Sequence, residues 1–309
     1  MTRGDIEQGR LDVIEKWGPW IGFNIDLGGG VYTIGPRLVG SAERRVTRIA
    51  QAVSDLLGGS LDGVRILDLG SHEGAFGIEM ALRGAEVVCV EGRESHVAKA
   101  AFAKGCLGLD RLEIVRSDVR QIDPVRLGRF EIVLCLGVLY HLPATALAPL
   151  LEALASMCTG FCIVETQISL RPLRSFGVDG RSYSGRTYGE DPAQPGAAMD
   201  GEDSFWLTRP SLLNLLADVG FTSVAELLNP TVLDVAEFED HVTFIAFRGE
   251  PVRSLSLPVV VQLDPEVWPE DLPRRRHPTQ ARWAHVPLLS RLGRRSLRRV
   301  LRSKDLVDG

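Results

Sequence analysis

The stretch ILDLGSHEGAFGIEM, residues 66–80, places an acid and two glycines where an apolar run turns into a helix-like pattern. A dinucleotide-binding loop would read G-x-G-x-x-G, so that a pyrophosphate reaches the helix N-terminus. Here His72 stands two residues after Gly70, where it would crowd a pyrophosphate. Asp68 offers a carboxylate to an ammonium group, and Gly70 and Gly74 allow close approach of backbone to a ligand. The loop therefore favours a nucleoside that carries an amino acid.

Two further acids follow the next predicted strands. Glu91 ends VVCVE, and an acid at that position binds ribose hydroxyls. Asp118 ends IVRSDV, where a carboxylate can accept a hydrogen bond from an adenine amino group. This ordered set predicts S-adenosylmethionine as the cofactor. The residues that we expect to contact it are Asp68, Gly70, Ser71, His72, Gly74, Glu91, Gly92, Arg93, Asp118, Val119, Leu136 and Gly137.

The sequence FEIVLCLGVLYHLPAT supplies the first candidate catalytic residues. Gly137 permits close approach of the cofactor, and Tyr140 and His141 begin the loop after the fourth predicted strand. Methyl transfer to a hydroxyl requires removal of a proton, and the pKa of histidine suits that role near neutral pH. We therefore predict that His141 is the general base. The alternative is that Tyr140 and His141 only shape the site.

Two more candidate catalytic residues come from later strands: Glu165 lies near the end of FCIVET, and His241 opens HVTFIAF. Glu165 is predicted to orient His141 and to stabilise its imidazolium. One glutamate and two histidines, namely His141, Glu165 and His241, would also suit a divalent metal such as Mg²⁺. The metal is unproven from sequence, and packing on an edge strand is the other interpretation of His241.

Short apolar runs alternate with helical patterns along the middle of the chain. This alternation predicts an α/β fold: a doubly wound, seven-stranded, mainly parallel sheet of Rossmann-like type with an antiparallel edge strand. The predicted strands are Arg65–Leu69, Glu86–Glu91, Leu112–Arg116, Glu131–Leu136, Phe161–Glu165, Ser223–Leu228 and Val242–Phe247. The predicted helices are Ser41–Leu57, Ala75–Arg83, Ser95–Lys104, Ala144–Met157 and Arg209–Val219.

Composition divides the chain into three predicted regions. Residues 1–60 form an N-terminal lid and helix, with several aromatic residues and a triple glycine between residues 17 and 35. Residues 61–249 form the catalytic domain, and residues 167–207, rich in Gly, Pro, Ser and Arg, form a substrate-selecting insertion in it. Residues 250–309 form a basic extension with 12 basic and 7 acidic residues, which could dock on the domain, on a second subunit of a homodimer or on a membrane surface.

The composition, 45% hydrophobic and 24% charged over 309 residues, is typical of a soluble globular protein. Its apolar runs are too short to span a bilayer, and its N-terminus lacks the pattern of a signal peptide. Five cysteines without a CxxC pair indicate reduced thiols, so we expect a cytoplasmic protein. The net charge of −5 argues against a stable nucleic-acid partner.

From about Leu61 to Phe247 the chain resembles the class I S-adenosylmethionine-dependent methyltransferases. It departs from the usual loop motif at His72 and is similar to a subset with a bulky residue followed by Glu-Gly. The D-x-G-x-x-E-G loop DLGSHEGAF, the segment VEGRESHVAKA and the LYH motif carry this resemblance. It implies a Rossmann-like fold and a methyltransferase that uses S-adenosylmethionine.

Four functions stay open at this point. The first is O-methylation of a small-molecule hydroxyl on a sugar, glycan or natural product, because the body of the protein is acidic and His141 can act as a base. Alkyl transfer to the tRNA wobble uridine and C-methylation of an aromatic or isoprenoid acceptor are alternatives within enzymes. A non-catalytic scaffold with an inherited fold is the fourth, and the intact cofactor set disfavours it.

Overall fold

Two β-sheets and seven helices organise the part of the chain that the structure describes, residues 1–35, 41–191, 196–199, 203–227 and 240–251 of a computed structural model. The helices are α1 (Arg3–Trp17), α2 (Ser41–Leu56), α3 (Ala75–Leu82), α4 (Glu94–Leu107), α5 (Pro124–Leu127), α6 (Ala144–Met157) and α7 (Arg209–Asp218). The strands are β1 (Arg65–Leu69), β2 (Glu86–Glu91), β3 (Leu112–Arg116), β4 (Phe130–Leu136), β5 (Cys158–Gln167), β6 (Arg174–Val178), β7 (Arg181–Tyr188), β8 (Ser204–Leu207), β9 (Ser223–Glu226) and β10 (His241–Phe247).

The larger sheet has seven strands in the order β3-β2-β1-β4-β5-β10-β9. Strands β1 to β5 pair in parallel, whereas β10 is antiparallel to both β5 and β9. The predicted fold class is confirmed, with the antiparallel strand β10 lying one place in from the edge. The strand order reverses between β1 and β4, and ligands of such sheets bind at that crevice.

Strand β1 explains why helices cover both faces of this sheet. Its side chains alternate, so Ile66 packs into one apolar cluster and Leu67 and Leu69 into the other. Each of these three side chains is fully buried. A strand that is apolar on both sides must be covered on both sides, which fixes the three-layer arrangement.

The insertion at residues 167–207 contains a three-stranded antiparallel sheet, β6-β7-β8, which the sequence analysis did not predict. Asp179 and Gly180 connect β6 to β7 with positive φ at both residues, as a tight hairpin turn requires. An Asp-Gly pair between residues of alternating polarity is a strong hairpin signal, so the sequence held the information needed for this prediction.

The N-terminal region consists of a helix and a turn before α2, and its role as a lid stays a prediction. Helix α1, which was not predicted, begins at a capping box between Thr2 and Asp5 and packs against α4. Beyond it, Leu27 N–H donates to Val31 O at 2.8 Å across a turn made by the triple glycine. All three glycines have positive φ, so they form an ordered turn rather than a flexible hinge.

Other predictions concern the chain as a whole. None of the helices that the structure describes is long and apolar enough to cross a membrane. The five cysteines are free thiols, as predicted, and four of them are buried. The predicted basic extension falls almost entirely on residues 252–309, outside the described residues, as does the predicted end of the strand at Leu228. Cytoplasmic location and a homodimer stay predictions.

Candidate active site

The loops that follow β1, β2, β4 and β5 meet at one edge of the sheet. Gly70 N–H donates to Val90 O at 2.8 Å, and Gly137 N–H donates to Glu165 O at 2.9 Å. These bonds bring the predicted cofactor residues of three strand ends to the same crevice. Around them, Ser71 and Leu136 are buried, and Val119 opens a short 3₁₀ turn after Asp118.

Close backbone approach explains the glycines of this crevice. Gly70 has a φ of +65°, and a Cβ atom there would lie 2.6 Å from Val138 Cγ2. Gly74 has a φ of +88°, and its Cβ would lie 2.9 Å from Ala100 Cβ. Gly137 has a φ of +80° and faces the Tyr140 hydroxyl. The positive φ favours glycine at all three positions, and at Gly70 and Gly74 the neighbouring side chains leave no room for a Cβ atom.

Asp68 lies near the end of β1. Its carboxylate is buried, accepts a hydrogen bond from Gly77 N–H at 2.9 Å and contacts the Cys89 thiol at 3.7 Å. Burial raises the pKa of Asp68 to about 7. Through its bond to Gly77, Asp68 holds the first turn of α3 against the end of β1. Its contact with an ammonium group stays a prediction.

Glu91 is placed as the ribose-binding prediction requires, at the end of β2. One carboxylate oxygen accepts from His72 N–H at 2.8 Å and the other from Arg93 N–H at 2.8 Å. Burial acts to raise its pKa, but His96 and these hydrogen bonds outweigh burial and hold the pKa below its ordinary value. The ionised carboxylate can accept two hydroxyl hydrogen bonds.

Asp118, the residue predicted to contact adenine, is bound by the neighbouring Arg120. The side chain of Asp118 caps the 3₁₀ turn by accepting from Arg120 N–H at 2.9 Å and forms an ion pair with the Arg120 guanidinium at 2.6 Å. These bonds lower the pKa of Asp118, with the guanidinium as the largest cause. Gly92, after Glu91, lies against Met199, and a Cβ atom at Gly92 would clash with its sulfur.

His72 adopts a left-handed conformation, with a φ of 53°. Its ring lies against the ring of His96, with the centroids 4.0 Å apart. Burial, followed by His96, lowers the pKa of His72 to about 4, so the imidazole is neutral at physiological pH. A left-handed histidine carries backbone strain, and such strain concentrates at ligand sites. His72 therefore presents an uncharged ring beside the backbone of the loop.

Glu73 anchors the N-terminal segment on the loop, a role that the sequence analysis missed. It is fully buried and accepts from Ile21 N–H at 3.1 Å and Gly22 N–H at 2.9 Å. The Lys99 ammonium donates to Glu73 at 2.9 Å and to Pro19 O at 2.6 Å. A buried lysine and glutamate pair is costly unless each charge is fully hydrogen-bonded, and here both have several partners.

His141 forms a pair with Glu190, whereas the sequence analysis had predicted Glu165 as its partner. The distance from His141 Nδ1 to Glu190 Oε1 is 3.0 Å. The pKa of His141 is lowered by burial, against an opposing effect of the Glu190 carboxylate. Glu190 belongs to the insertion, so its meeting with His141 depends on tertiary packing. Its position just after the aromatic and arginine residues of the insertion was the only available signal.

Glu165 instead binds Arg45 and His241. The Arg45 guanidinium lies 2.6 Å from the carboxylate, and His241 Nε2 lies 3.1 Å from it. Burial acts to raise the pKa of Glu165, but His241 and Arg45 outweigh it and lower the pKa. His241 therefore lies beside Glu165 at the carboxyl end of β5. Arg45, contributed by α2, was not predicted.

Tyr140 lies beside both groups. Its ring centroid is 4.2 Å from that of His141, and its backbone oxygen accepts from Trp206 Nε1–H at 3.0 Å. Burial raises the pKa of its phenol, so Tyr140 stays protonated at neutral pH. A protonated phenol near Gly137 can donate a hydrogen bond into the crevice.

The predicted metal set does not converge. His141 pairs with Glu190, while Glu165 is bound by Arg45 and His241, so a cation would compete with a guanidinium. In the part of the chain that the structure describes, the group of ligand atoms close enough to share an ion is His72, Glu73 and His96, within 4.8 Å of one another. Glu73 in that group already accepts from Lys99. Metal dependence stays a prediction.

Comparison with known proteins gives the class of this domain. Residues 66–159 match the family model described as "Methyltransferase domain". Two curated relatives, both named "Ubiquinone biosynthesis O-methyltransferase", are 34% identical: over 86 residues in Azotobacter vinelandii and over 100 residues in Marinobacter nauticus. The matches cover 28% and 32% of this chain, but only 37% and 41% of the relatives.

A solved structure covers more of the chain. The N-terminal domain of EvdMO1, crystallised in the presence of SAH and D-fucose, is 25% identical with a TM-score of 0.65. The match covers 81% of this chain and 98% of that domain. The solved structure is similar in fold to this chain, and residues 66–159 are similar to a methyltransferase domain.

Proposed function

We propose that the protein is an S-adenosylmethionine-dependent methyltransferase that methylates a hydroxyl oxygen of a small molecule, with a sugar as the favoured acceptor. The observation that carries this proposal is the His141–Glu190 pair beside Gly137, in a domain that matches the methyltransferase family. The names of the curated relatives support oxygen as the methylated atom. The D-fucose in the EvdMO1 structure supports a sugar.

The crevice fits the cofactor. Gly70 and Gly137, both with positive φ, lie at strand ends that form the crevice, and Glu91 supplies an ionised carboxylate for the ribose hydroxyls. The strained backbone of His72 lies in the loop that would hold the methionine end. S-adenosylmethionine, when bound, supplies a methyl group on a positively charged sulfur.

The chain's own residues supply the base. In the neutral tautomer that donates Nδ1–H to Glu190, the other ring nitrogen of His141 carries a lone pair. That nitrogen removes the proton of the acceptor hydroxyl as the oxygen attacks the methyl carbon. The carbon–sulfur bond of S-adenosylmethionine would break as the carbon–oxygen bond formed, and His141 would keep the proton. The Glu190 carboxylate then stabilises the imidazolium.

The proposal is tested by incubating the protein with radiolabelled S-adenosylmethionine and a panel of sugars, phenols and tRNA, with and without EDTA. We expect label transfer to a sugar hydroxyl, and a loss of about 10²-fold or more in kcat for His141→Ala. Transfer to tRNA or to carbon, or full turnover by His141→Ala, would contradict the proposed acceptor or the proposed base, respectively.

A further inference from the structure

Strands β7 and β8 present one continuous surface next to His141. Arg186 of β7 pairs in register with Trp206 of β8, and Tyr188 lies two residues further along β7. Residues two apart on a strand share a face, and diagonal neighbours on that face are in reach of aromatic rings.

We name this surface, formed by Arg186, Tyr188, Glu190 and Trp206, the β7 platform. We propose that the β7 platform binds the pyranose ring of a neutral sugar as the methyl acceptor, an inference that rests on the proposed function.

The two aromatic rings of the platform stack on each other, and one of them is exposed to solvent. Tyr188 and Trp206 are stacked with centroids 4.4 Å apart and an interplanar angle of 21°. The Arg186 guanidinium lies 4.2 Å from the Trp206 centroid. Trp206 is only 8% exposed, whereas Tyr188 is 40% exposed. Tyr188 is therefore the ring that can receive the apolar face of a sugar, and Trp206 holds it in place.

Two contacts join the platform to the proposed base. Trp206 donates its indole N–H to the backbone oxygen of Tyr140, the residue before His141. Glu190 holds His141 directly. The ring of Tyr140 lies 4.2 Å from the ring of His141 and 6.3 Å from that of Trp206, on which Tyr188 stacks. These contacts place the platform beside the proposed base.

Charge selects the class of ligand. The platform carries one cation, Arg186, and one anion, Glu190, so it favours neither an anionic nor a cationic ligand. Aromatic rings for the apolar face, together with polar groups at the rim, suit a neutral polyhydroxylated ring.

The test measures kcat and KM with D-fucose as the acceptor probe and radiolabelled S-adenosylmethionine. We expect Tyr188→Ala to raise the KM for D-fucose about tenfold, with kcat within about twofold and the affinity for S-adenosylhomocysteine unchanged. Tyr188→Phe and Tyr188→Trp should restore the KM, because both supply a ring. Thr187→Ala, an exposed neighbour on the opposite side of β7, is the matched control and should leave KM unchanged.

Saturation-transfer NMR with D-fucose and other neutral pyranoses, on protein loaded with S-adenosylhomocysteine, gives a second readout. We expect sugar signals with the wild type that weaken with Tyr188→Ala. If the wild type methylates D-fucose and Tyr188→Ala keeps its KM, or loses only kcat, the platform is wrong while the proposed function stands. If the wild type binds S-adenosylhomocysteine but neither methylates nor binds any neutral pyranose, both the platform and the sugar acceptor are wrong.

Discussion

At the scale of single residues, His141 and Glu190 determine how activity should depend on pH. Burial lowers the pKa of His141, and Glu190 opposes that shift. The base works only when neutral, so the rate should fall as the pH decreases through this pKa. Because the Glu190 charge keeps the pKa from falling further, its removal should move the acidic limb of the profile to lower pH.

Glu190→Gln should therefore show an acidic limb at lower pH and a plateau kcat reduced about 10-fold to 100-fold, because the imidazolium loses its carboxylate. The measurement is kcat/KM against pH for the wild type and the variant. Glu152→Gln, which removes an exposed carboxylate of α6, is the control and should leave the profile unchanged. An acidic limb that stays at the same pH or moves to higher pH would contradict the inference that Glu190 acts on His141.

Glu73 gives a prediction about stability. Glu73→Gln leaves the Lys99 ammonium buried without its counter-charge, and such a change costs about 3–5 kcal/mol of unfolding free energy. Urea denaturation followed by circular dichroism measures the loss. Glu79→Gln is the matched control, because Glu79 pairs with Arg83 at the surface and should contribute at most about 1 kcal/mol. Equal losses of unfolding free energy in the two variants would show that the buried pair contributes no more to stability than the surface pair.

At the scale of elements, Gly77 fixes how closely α3 lies on β1 and β2. A Cβ atom at Gly77 would clash with Cys89 Sγ and lie 3.2 Å from the Asp68 carboxylate. Helix α3 follows the cofactor loop directly, so the packing of α3 on the sheet also fixes the position of that loop. The contact shows why this position of the helix requires glycine.

Gly77→Ala should destabilise the protein by about 1–3 kcal/mol through overpacking. Adding Cys89→Ala, which removes the clashing sulfur, should recover part of that loss, a coupling that a double-mutant cycle measures. Gly105→Ala in α4, where a Cβ atom meets no neighbour, should instead raise stability by about 0.5–1 kcal/mol. Additive effects of the Gly77 and Cys89 changes would contradict the proposed clash.

At the scale of the whole molecule, the N-terminal region is part of the wall of the cofactor site. Trp20 and Leu27 are buried, and the backbone at Ile21 and Gly22 binds Glu73 beside His72. A Cβ atom at Gly22 would lie 2.8 Å from His72 Nδ1. The region therefore packs against the loop that contains His72 and Glu73. Its removal should affect both folding and cofactor binding.

Removal of residues 1–35 should lower the melting temperature and weaken binding of S-adenosylhomocysteine about tenfold or more, because ligand affinity depends on an ordered loop. Calorimetry gives both quantities. Leu11→Ala, an exposed position of α1, is the control and should change neither. Unchanged affinity in the shortened protein would mean that the loop keeps its conformation without the N-terminal region.

The prediction of the sheet succeeded because its signals are local. Each strand from β1 to β5 contains a short run that is mainly apolar, and a run such as Ile132–Leu136 is apolar on both faces whatever surrounds it. The strand ends also fixed where Glu91 and Gly137 would lie. Helix α1 was missed because much of its surface is polar, with Ile6 as its buried residue, so the amphipathic pattern is weak.

The sequence by itself determined the fold class and the set of residues at the strand ends, because periodicity and loop spacing are properties of neighbouring residues. The partners of the charged groups were decided only by tertiary structure. His141 lies against Glu190 rather than Glu165, and Glu165 binds Arg45, because packing brings together residues that are distant in sequence. Burial and these partners then set the direction of each pKa shift, and no spacing rule contains either of them.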